Sequence, residues 1–164
     1  MRAQAVRAAE ALGVRSGALH IEVKLTPDGP RIIEVNGRVG GGAIDALYTA
    51  VHGRSLTGYA AAAALGEPVG PEPVAGAPDG GYVYSFFVQA PLEAHTLTRL
   101  GNLEGLRTLD GVASTSVNRA VGDTLDWRDG SQAYLVCVRG VADGLAALAE
   151  VPARVRAALD VDWT

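Results

Sequence analysis

Residues 20–42 read HIEVKLTPDGPRIIEVNGRVGGG, and this stretch decides the fold of the first part of the chain. Apolar and polar residues alternate on both sides of Pro27-Asp28-Gly29, as they do in strands with one buried face. Proline and aspartate suit the αR positions of a tight turn, and glycine suits the αL position that follows. The stretch therefore predicts a β-hairpin closed by a three-residue loop.

The loop length determines which residues face each other across the hairpin. The expected pairs are Thr26–Pro30, Lys24–Ile32, Val23–Ile33, Glu22–Glu34, Ile21–Val35 and His20–Asn36. A two-residue turn at Asp28-Gly29 would instead pair Glu22 with Val35, because a slip of one residue moves every side chain to the other face. Only the three-residue loop leaves one clean apolar face and one clean polar face.

Two carboxylates, those of Glu22 and Glu34, are expected to face each other on the polar side. Directly opposed residues have Cβ atoms roughly 5 Å apart, and like charges at that distance destabilise a sheet. A divalent cation between them would relieve the repulsion, and oxygen ligands of this kind suit Mg²⁺. The alternative is a solvated face whose glutamates point into water. The neighbouring Asn36, Arg38 and glycines favour the cation site.

Arg38 and a run of glycines follow the second strand. A guanidinium at this place can hold a phosphate or a carboxylate through two parallel hydrogen bonds. The glycines leave backbone N–H groups open to an anion, and a helix expected from Ala43 adds the positive end of its dipole. The glycines are Gly37, Gly40, Gly41 and Gly42. Their place between a carboxylate-bearing strand and a helix favours an anion-binding loop over a linker.

These motifs together resemble the C-terminal part of the ATP-grasp superfamily. The likeness covers roughly residues 1–66 and is carried by EVNGR at 34–38 with an upstream HxE at 20–22. It is most similar to carboxylate–amine ligases of the L-amino acid ligase type, and also to biotin carboxylase and glycinamide ribonucleotide synthetase. The fold that this implies is α+β, an antiparallel sheet with flanking helices.

The resemblance also implies the ligands and the reaction. The residues that it assigns to Mg²⁺ or Mn²⁺, which bridges the ATP phosphates, are Glu22, Glu34 and Asn36. It assigns to Arg38 a catalytic contact with the γ-phosphate or the acyl-phosphate, and to Gly41 and Gly42 a place near the cofactor and the substrate carboxylate. The reaction joins a small-molecule carboxylate to an amine through an acyl-phosphate, at the expense of ATP.

The departures from the family predict an incomplete enzyme. Lys24 is the one lysine of the chain, whereas ATP-grasp sites also use lysines on earlier strands, a glycine-rich flap and an adenine-binding segment. We therefore expect a C-terminal fragment that is inactive alone and has the N-terminal remainder of the enzyme as its partner. An apolar face left open would also drive self-association into a homo-oligomer.

Two alternatives to the amino acid ligase stay open on the sequence. One is a fragment of a biotin-carboxylase-like or purine-pathway ATP-grasp enzyme, which shares the metal pair but acts on bicarbonate or on a different amine. The other is a non-catalytic accessory or interaction domain that keeps the fold and no longer turns over.

The remaining sequence predicts two units joined by a linker. Helices are expected over 2–12, 44–51 and 56–65, and PVGPEPVAGAPDGG at 68–81 has the composition of a boundary loop. The expected domains are thus 1–67, the linker 68–81 and a small α/β C-terminal subdomain over 82–164. In that subdomain strands are expected over 82–89, 112–119 and 133–139, and a short turn or helix over 103–109. A helix is expected from about 144 to 149 with Asp143 as its N-cap, and helix is expected to continue over 151–159 with Pro152 in a first turn.

Composition limits the classes of partner. The 164 residues carry a formal net charge of −4, which provides no basic patch and argues against nucleic acid. Cys137 has no second cysteine to pair with, which fits a reducing cytoplasm, and its apolar surroundings predict a buried, inert thiol. No apolar run is long enough for a bilayer, so no membrane partner is expected.

Overall fold

The structure is a computed structural model that describes residues 1–70, 81–92 and 95–164. It is mixed α+β, as expected, and divides into two compact units, Met1–Ala75 and Gly76–Thr164. Most of the expected linker 68–81 lies outside the described residues. The helices are α1 Arg2–Ala11, α2 Ile44–His52, α3 Leu56–Ala64, α4 Leu103–Arg107 and α5 Leu145–Ala158. The strands are β1 His20–Thr26, β2 Gly29–Asn36, β3 Tyr82–Gln89, β4 Leu97–Gly101, β5 Val112–Val117, β6 Tyr134–Ala142 and β7 Asp160–Trp163.

The hairpin of β1 and β2 closes through a two-residue turn at Pro27-Asp28, so the expected three-residue loop is wrong. Thr26 pairs with Gly29, and its hydroxyl donates a hydrogen bond of 2.8 Å to the Gly29 carbonyl. Gly29 has φ +102°, a conformation that side chains disfavour, and it takes this conformation at the first position of the strand rather than inside the loop.

A β-bulge at Ile33 compensates for the shorter turn. Val23 pairs with Ile32 rather than with Ile33, and the extra residue in β2 restores the expected register from Glu22 onward. Ile32 thereby joins the apolar face, whereas the side chain of Ile33 is 62% exposed. The expected opposition of Glu22 and Glu34 is confirmed. The expected pairs nearer the turn are wrong, because Thr26, Lys24 and Val23 pair with Gly29, Arg31 and Ile32.

The start of α3 is fixed by two side chains. Ser55 accepts a hydrogen bond of 2.8 Å from the Gly58 N–H, as an N-cap residue should. Asp45, in the first turn of α2, accepts hydrogen bonds from the Leu56 N–H and from the Thr57 hydroxyl. The hydroxyl of Thr57 is the main cause that lowers the pKa of Asp45. A lowered pKa means that the stabilisation holds above the ordinary pKa and is lost as the pH falls through the folded value.

Replacing Ser55 with alanine is expected to destabilise the first unit by about 1 kcal/mol, because one backbone donor at the start of α3 loses its acceptor. Chemical denaturation followed by far-UV circular dichroism measures this change. Ser16→Ala, in the loop before β1, is the control and should leave the free energy of unfolding unchanged. An unchanged free energy in Ser55→Ala would mean that Asp45 alone is sufficient to cap the helix.

The second unit is built around β6. It is the central strand of the antiparallel sheet β3-β6-β5, while β4 and β7 form a separate two-stranded ribbon. Helix α5 contacts β3 and β6, and α4 contacts β5. The buried apolar side chains of the described residues all lie in this unit, and the largest are Leu97, Leu106, Leu135, Val136, Val138 and Val155.

Sequence reasoning was wrong at two points in α5 and missed two strands. Gly144 rather than Asp143 occupies the N-cap position, and the helix runs without interruption through Pro152, which lies in its interior instead of in a first turn. Strands β4 and β7 were not predicted. Cys137 is buried as expected, with its Sγ atom 3.3 Å from the Ser85 hydroxyl. Among the described residues, no helix is both long and apolar enough to cross a bilayer.

The first unit has no comparable core. Within residues 1–70 no side chain reaches the buried class, and several large apolar side chains are exposed. They are Met1, Val6, Leu12, Leu25, Ile33, Ile44, Leu65 and Val69. Because a two-stranded hairpin buries little apolar area, it is only marginally stable in water.

Amide hydrogen exchange should therefore be slower in the second unit than in the first. The β6 amides are expected to be the slowest, because they lie in a central strand inside the core, and the β1 and β2 amides should exchange at least about a hundredfold faster. Exchange measured by mass spectrometry of peptides at neutral pH tests this. Equal protection of the two units would contradict the description of the first unit as poorly buried.

Candidate functional site

The polar face of the hairpin brings together four side chains on two strands. Glu22 lies directly opposite Glu34, and His20 lies directly opposite Asn36. Directly paired residues point to the same face of a sheet, and residues two apart on one strand do so as well. All four side chains therefore share one face, as the sequence predicted for Glu22, Glu34 and Asn36.

The two carboxylates are accessible and unequal in their contacts. The Glu22 side chain is 51% exposed, and its Oε1 atom lies 3.3 Å from Nε2 of His20. Glu34 is exposed, and no hydrogen bond or ion pair to it occurs in the described part of the chain. One carboxylate is thus held by a neighbour, while the other is available to a ligand.

The amide of Asn36 has unused hydrogen-bonding capacity. Its Nδ2 atom is buried and has no hydrogen-bond partner within the described residues. A buried polar group without a partner costs free energy, so such groups are rare in folded proteins. The Nδ2 group is a donor that needs an acceptor, which a phosphate oxygen bound at this face would provide. The Oδ1 atom of the same amide is the oxygen that could join the two opposed carboxylates as a third ligand of a hard cation.

The donor set fits an open cation site rather than a closed cage. In the part of the chain that the structure describes, no three His, Cys, Asp or Glu side chains converge tightly enough to enclose a metal. Mg²⁺ usually keeps several waters and is bound by one or two carboxylates together with substrate phosphates. Two carboxylates and an amide on an exposed strand face match that pattern.

Arg38 and the glycines lie where the sequence predicted them, just beyond β2. The Arg38 guanidinium is exposed and donates one hydrogen bond of 3.1 Å to the Val39 carbonyl. Gly41 and Gly42 form the turn that leads into α2, and Ala43 at the N-cap position has a left-handed backbone. No side chain caps α2.

Gly40 has a role that sequence reasoning missed. A Cβ atom at this position would lie 2.8 Å from Nδ1 of His20 and 2.9 Å from Cδ1 of Ile44, so any larger residue requires these side chains to shift. The sequence predicted that this glycine would leave its backbone N–H open to an anion. In the structure the His20 ring packs against it. No local pattern could have predicted this contact, because it joins residues twenty positions apart in the chain.

A cleft of about 690 Å³ lies next to this contact within the first unit. Apolar and polar surface contribute about equally to its walls, and Arg15 and Glu67 contribute opposite charges. Other lining residues are Leu19, His20, Gly40, Ile44, Leu56, Tyr59 and Ala63. The cleft is therefore lined in part by His20, which contacts Glu22, and by Gly40, on which the His20 ring packs.

Comparisons with known proteins bear on the fold that carries this face. No family model matches the sequence. Carnosine synthase 1 of Gallus gallus is 44% identical over 71 residues, which is 41% of this chain and 8% of that protein. The structure of an L-amino acid ligase from Bacillus licheniformis covers 99% of this chain with a TM-score of 0.78 and 18% identity. That of a phosphoribosylglycinamide synthetase from Anaerococcus prevotii covers 99% with a TM-score of 0.71 and 14% identity.

The chain thus has the fold of ATP-grasp enzymes, which confirms the resemblance stated from the sequence. Both solved structures are of the kinds that the sequence resembled, an L-amino acid ligase and a glycinamide ribonucleotide synthetase. The chain spans 41% of the length of each of these two proteins and 8% of the carnosine synthase. The likeness is therefore to a part of each relative.

Proposed function

We propose that this chain carries the metal- and phosphate-binding part of an ATP-dependent carboxylate–amine ligase that acts on amino acids. The observation that supports the proposal most directly is the cross-strand pair of Glu22 and Glu34 beside the unpartnered amide of Asn36. These three residues would hold Mg²⁺ or Mn²⁺, and the cation would neutralise charge on the phosphates of ATP.

The chemistry required of the side chains is binding and electrostatic stabilisation. A carboxylate oxygen of the substrate attacks the γ-phosphorus of ATP, and the bond from that phosphorus to the bridging oxygen breaks. ADP leaves, and an acyl-phosphate is formed. The amine nitrogen then attacks the acyl carbon, phosphate leaves, and the amine loses a proton as the amide forms. Arg38 would act as the catalytic cation on the transferred phosphoryl group, because its guanidinium is exposed beside the strand that carries Glu34.

The glycine turn would hold the anionic part of the same ligands. Gly41 and Gly42 expose their backbone at the start of α2, which has no side-chain cap. Backbone N–H groups at such a place favour phosphate or carboxylate. A substrate carboxylate at this turn would lie beside the strand end that carries Arg38.

The substrate class is inferred from the relatives. An L-amino acid ligase and a carnosine synthase both have names that indicate amide-bond formation with amino acids. The phosphoribosylglycinamide synthetase has a similar TM-score, so a purine-pathway amine is the second candidate. Small-molecule substrates and a cytoplasmic location are part of the proposal, because the reaction consumes ATP.

Complete turnover is proposed to need further residues besides these 164. Lys24 is the one lysine of the chain and lies on the hairpin, whereas the ligases that it resembles use lysines on other strands to hold ATP. The exposed apolar side chains of the first unit are consistent with a partner segment of the same enzyme, or with a second copy, as their cover. We therefore expect the chain to be inactive alone.

Titration with Mn²⁺ in the presence of ATP tests the proposal on the 164-residue chain. Electron paramagnetic resonance of free Mn²⁺, compared with a protein-free reference at the same ATP concentration, reports how much cation the protein binds. ATP is expected to raise the amount of bound Mn²⁺, because phosphate oxygens complete the coordination of the cation. The double substitution Glu22→Gln/Glu34→Gln should remove this binding, and Glu10→Gln, an exposed carboxylate of α1, should not. Equal binding by the double variant would overturn the proposal.

A further inference from the structure

We propose that His20 is a positioning residue for the cation site and that Gly40 exists to seat its ring. In this arrangement the imidazole orients the Glu22 carboxylate toward the cation that Glu22 shares with Glu34. The inference deepens the proposed function and rests on it.

The contact between His20 and Glu22 is direct and lies on the correct face. The Nε2 atom of His20 is 3.3 Å from Oε1 of Glu22, the two residues are two apart on β1, and both therefore point to the polar face. The contact requires the tautomer in which Nε2–H donates to the carboxylate oxygen. One oxygen of Glu22 is thereby fixed, and the other stays available to a cation.

The ring of His20 is itself fixed by its surroundings. Its side chain is 23% exposed, against 51% for Glu22, so the histidine is the more enclosed member of the pair. The Nδ1–Cε1 edge of the ring packs on Gly40, where an added Cβ would lie 2.8 Å from Nδ1 and 3.3 Å from Cε1. With that edge against Gly40, the Nε2 edge of the ring is directed at Glu22.

Gly40 leaves room for the His20 ring because it has no Cβ atom. Its backbone conformation does not itself require glycine. Its φ lies outside the left-handed region that glycine favours, unlike that of Gly42, which is +63°. The added Cβ would also lie 2.9 Å from Cδ1 of Ile44, so it is crowded on the side of α2 as well. We therefore expect alanine at position 40 to displace the ring of His20 together with the end of the Ile44 side chain.

Orientation of Glu22 matters because the site is open and its ligands are few. Glu34 and Glu22 repel each other, and an unrestrained pair would turn its oxygens apart in the absence of a cation. A partner that holds one carboxylate in the ligating orientation lowers the entropy cost of binding. Loss of such outer partners typically weakens metal affinity by about 10–100-fold.

The test compares Mn²⁺ affinity among variants of the 164-residue chain. His20→Ala removes the donor and Gly40→Ala displaces it, and each is expected to weaken Mn²⁺ binding by about tenfold or more. His20→Gln keeps an N–H donor of similar reach and should retain part of the affinity. The control His95→Ala, an exposed histidine of the second unit, should bind as the unsubstituted chain does.

A second measurement separates positioning from folding. In the metal-free chain labelled with ¹³C, the Glu22 side-chain carboxyl resonance should shift in both His20→Ala and Gly40→Ala. The cross-strand contacts between Val23 and Ile32 should stay unchanged, because the hairpin register does not depend on this ring. Loss of those contacts in Gly40→Ala leaves His20→Ala as the deciding variant.

The outcomes distinguish this inference from the proposed function. Unchanged affinity in His20→Ala, together with loss of binding in Glu34→Gln, would overturn the positioning role alone. Unchanged affinity in both variants, or no Mn²⁺ binding by the unsubstituted chain, would overturn the cation site as well.

Discussion

Replacing Gly140 with alanine is expected to destabilise the second unit, with a loss of about 3 kcal/mol in the free energy of unfolding. An added Cβ would lie 1.9 Å from the Gly111 carbonyl oxygen and 2.7 Å from the Tyr84 hydroxyl oxygen. The first of these atoms belongs to the backbone and cannot move aside, because the same oxygen accepts a hydrogen bond of 2.8 Å from the Val141 N–H.

The position of Gly140 makes the effect large. It lies in β6, the central strand, between its partners Tyr84 on β3 and Val112 on β5. The hydroxyl of Tyr84 donates to the Gly111 carbonyl at 3.3 Å, and burial raises the pKa of that tyrosine. A methyl group at this crossing would separate both neighbouring strands from β6 at the same time.

Urea denaturation monitored by tyrosine and tryptophan fluorescence measures the loss. Gly70→Ala is the control, because nothing lies within 4 Å of a Cβ atom built there and its φ is unstrained. That substitution should change stability by less than about 1 kcal/mol. A Gly140→Ala chain as stable as the Gly70→Ala chain would contradict the close approach of Gly111 to β6.

Replacing Glu34 with glutamine is expected to weaken Mn²⁺ binding by about a hundredfold, since even the loss of an outer partner of a metal ligand costs up to that much. The substitution keeps the size of the side chain and removes the charge of the carboxylate that has no partner in the described residues. It also removes the repulsion from Glu22, so the metal-free hairpin should become slightly more stable.

These opposite effects are the diagnostic feature of the prediction. Calorimetric titration with Mn²⁺ gives the affinity, and thermal denaturation without metal gives the stability. Glu10→Gln should change neither quantity, because Glu10 is an exposed carboxylate of α1 with no hydrogen bond or ion pair to the hairpin in the described residues. Reduced affinity together with reduced stability would indicate that Glu34 supports the fold rather than a cation.

Sequence reasoning predicted the hairpin and the acidic pair because alternation and turn residues act locally. It did not predict the two-residue turn at Pro27-Asp28 or the bulge at Ile33, since several turn lengths suit the same residues. The two errors cancelled at Glu22 and Glu34, because the bulge restores the one-residue shift that the shorter turn introduces. The predicted pairing is thus confirmed through a register that alternation alone could not specify.

The second unit contains features that local sequence patterns do not predict. Strands β4 and β7 pair with each other across about sixty intervening residues, and their short sequences carry no alternation strong enough to predict them. Pro152 was expected near a helix start, yet α5 continues through it because Val151 and Val155 are buried in the core on either side of it. Tertiary packing outweighed the local preference of proline.

Locating bound Mn²⁺ by nuclear magnetic resonance tests the central claim most directly. The cation broadens the signals of nearby amides in a ¹⁵N-labelled chain. We expect substoichiometric Mn²⁺ to broaden the amides around Glu22 and from Glu34 to Asn36 first. Broadening that begins elsewhere, or that persists at these amides in Glu22→Gln/Glu34→Gln, would contradict a cation held between the two strands.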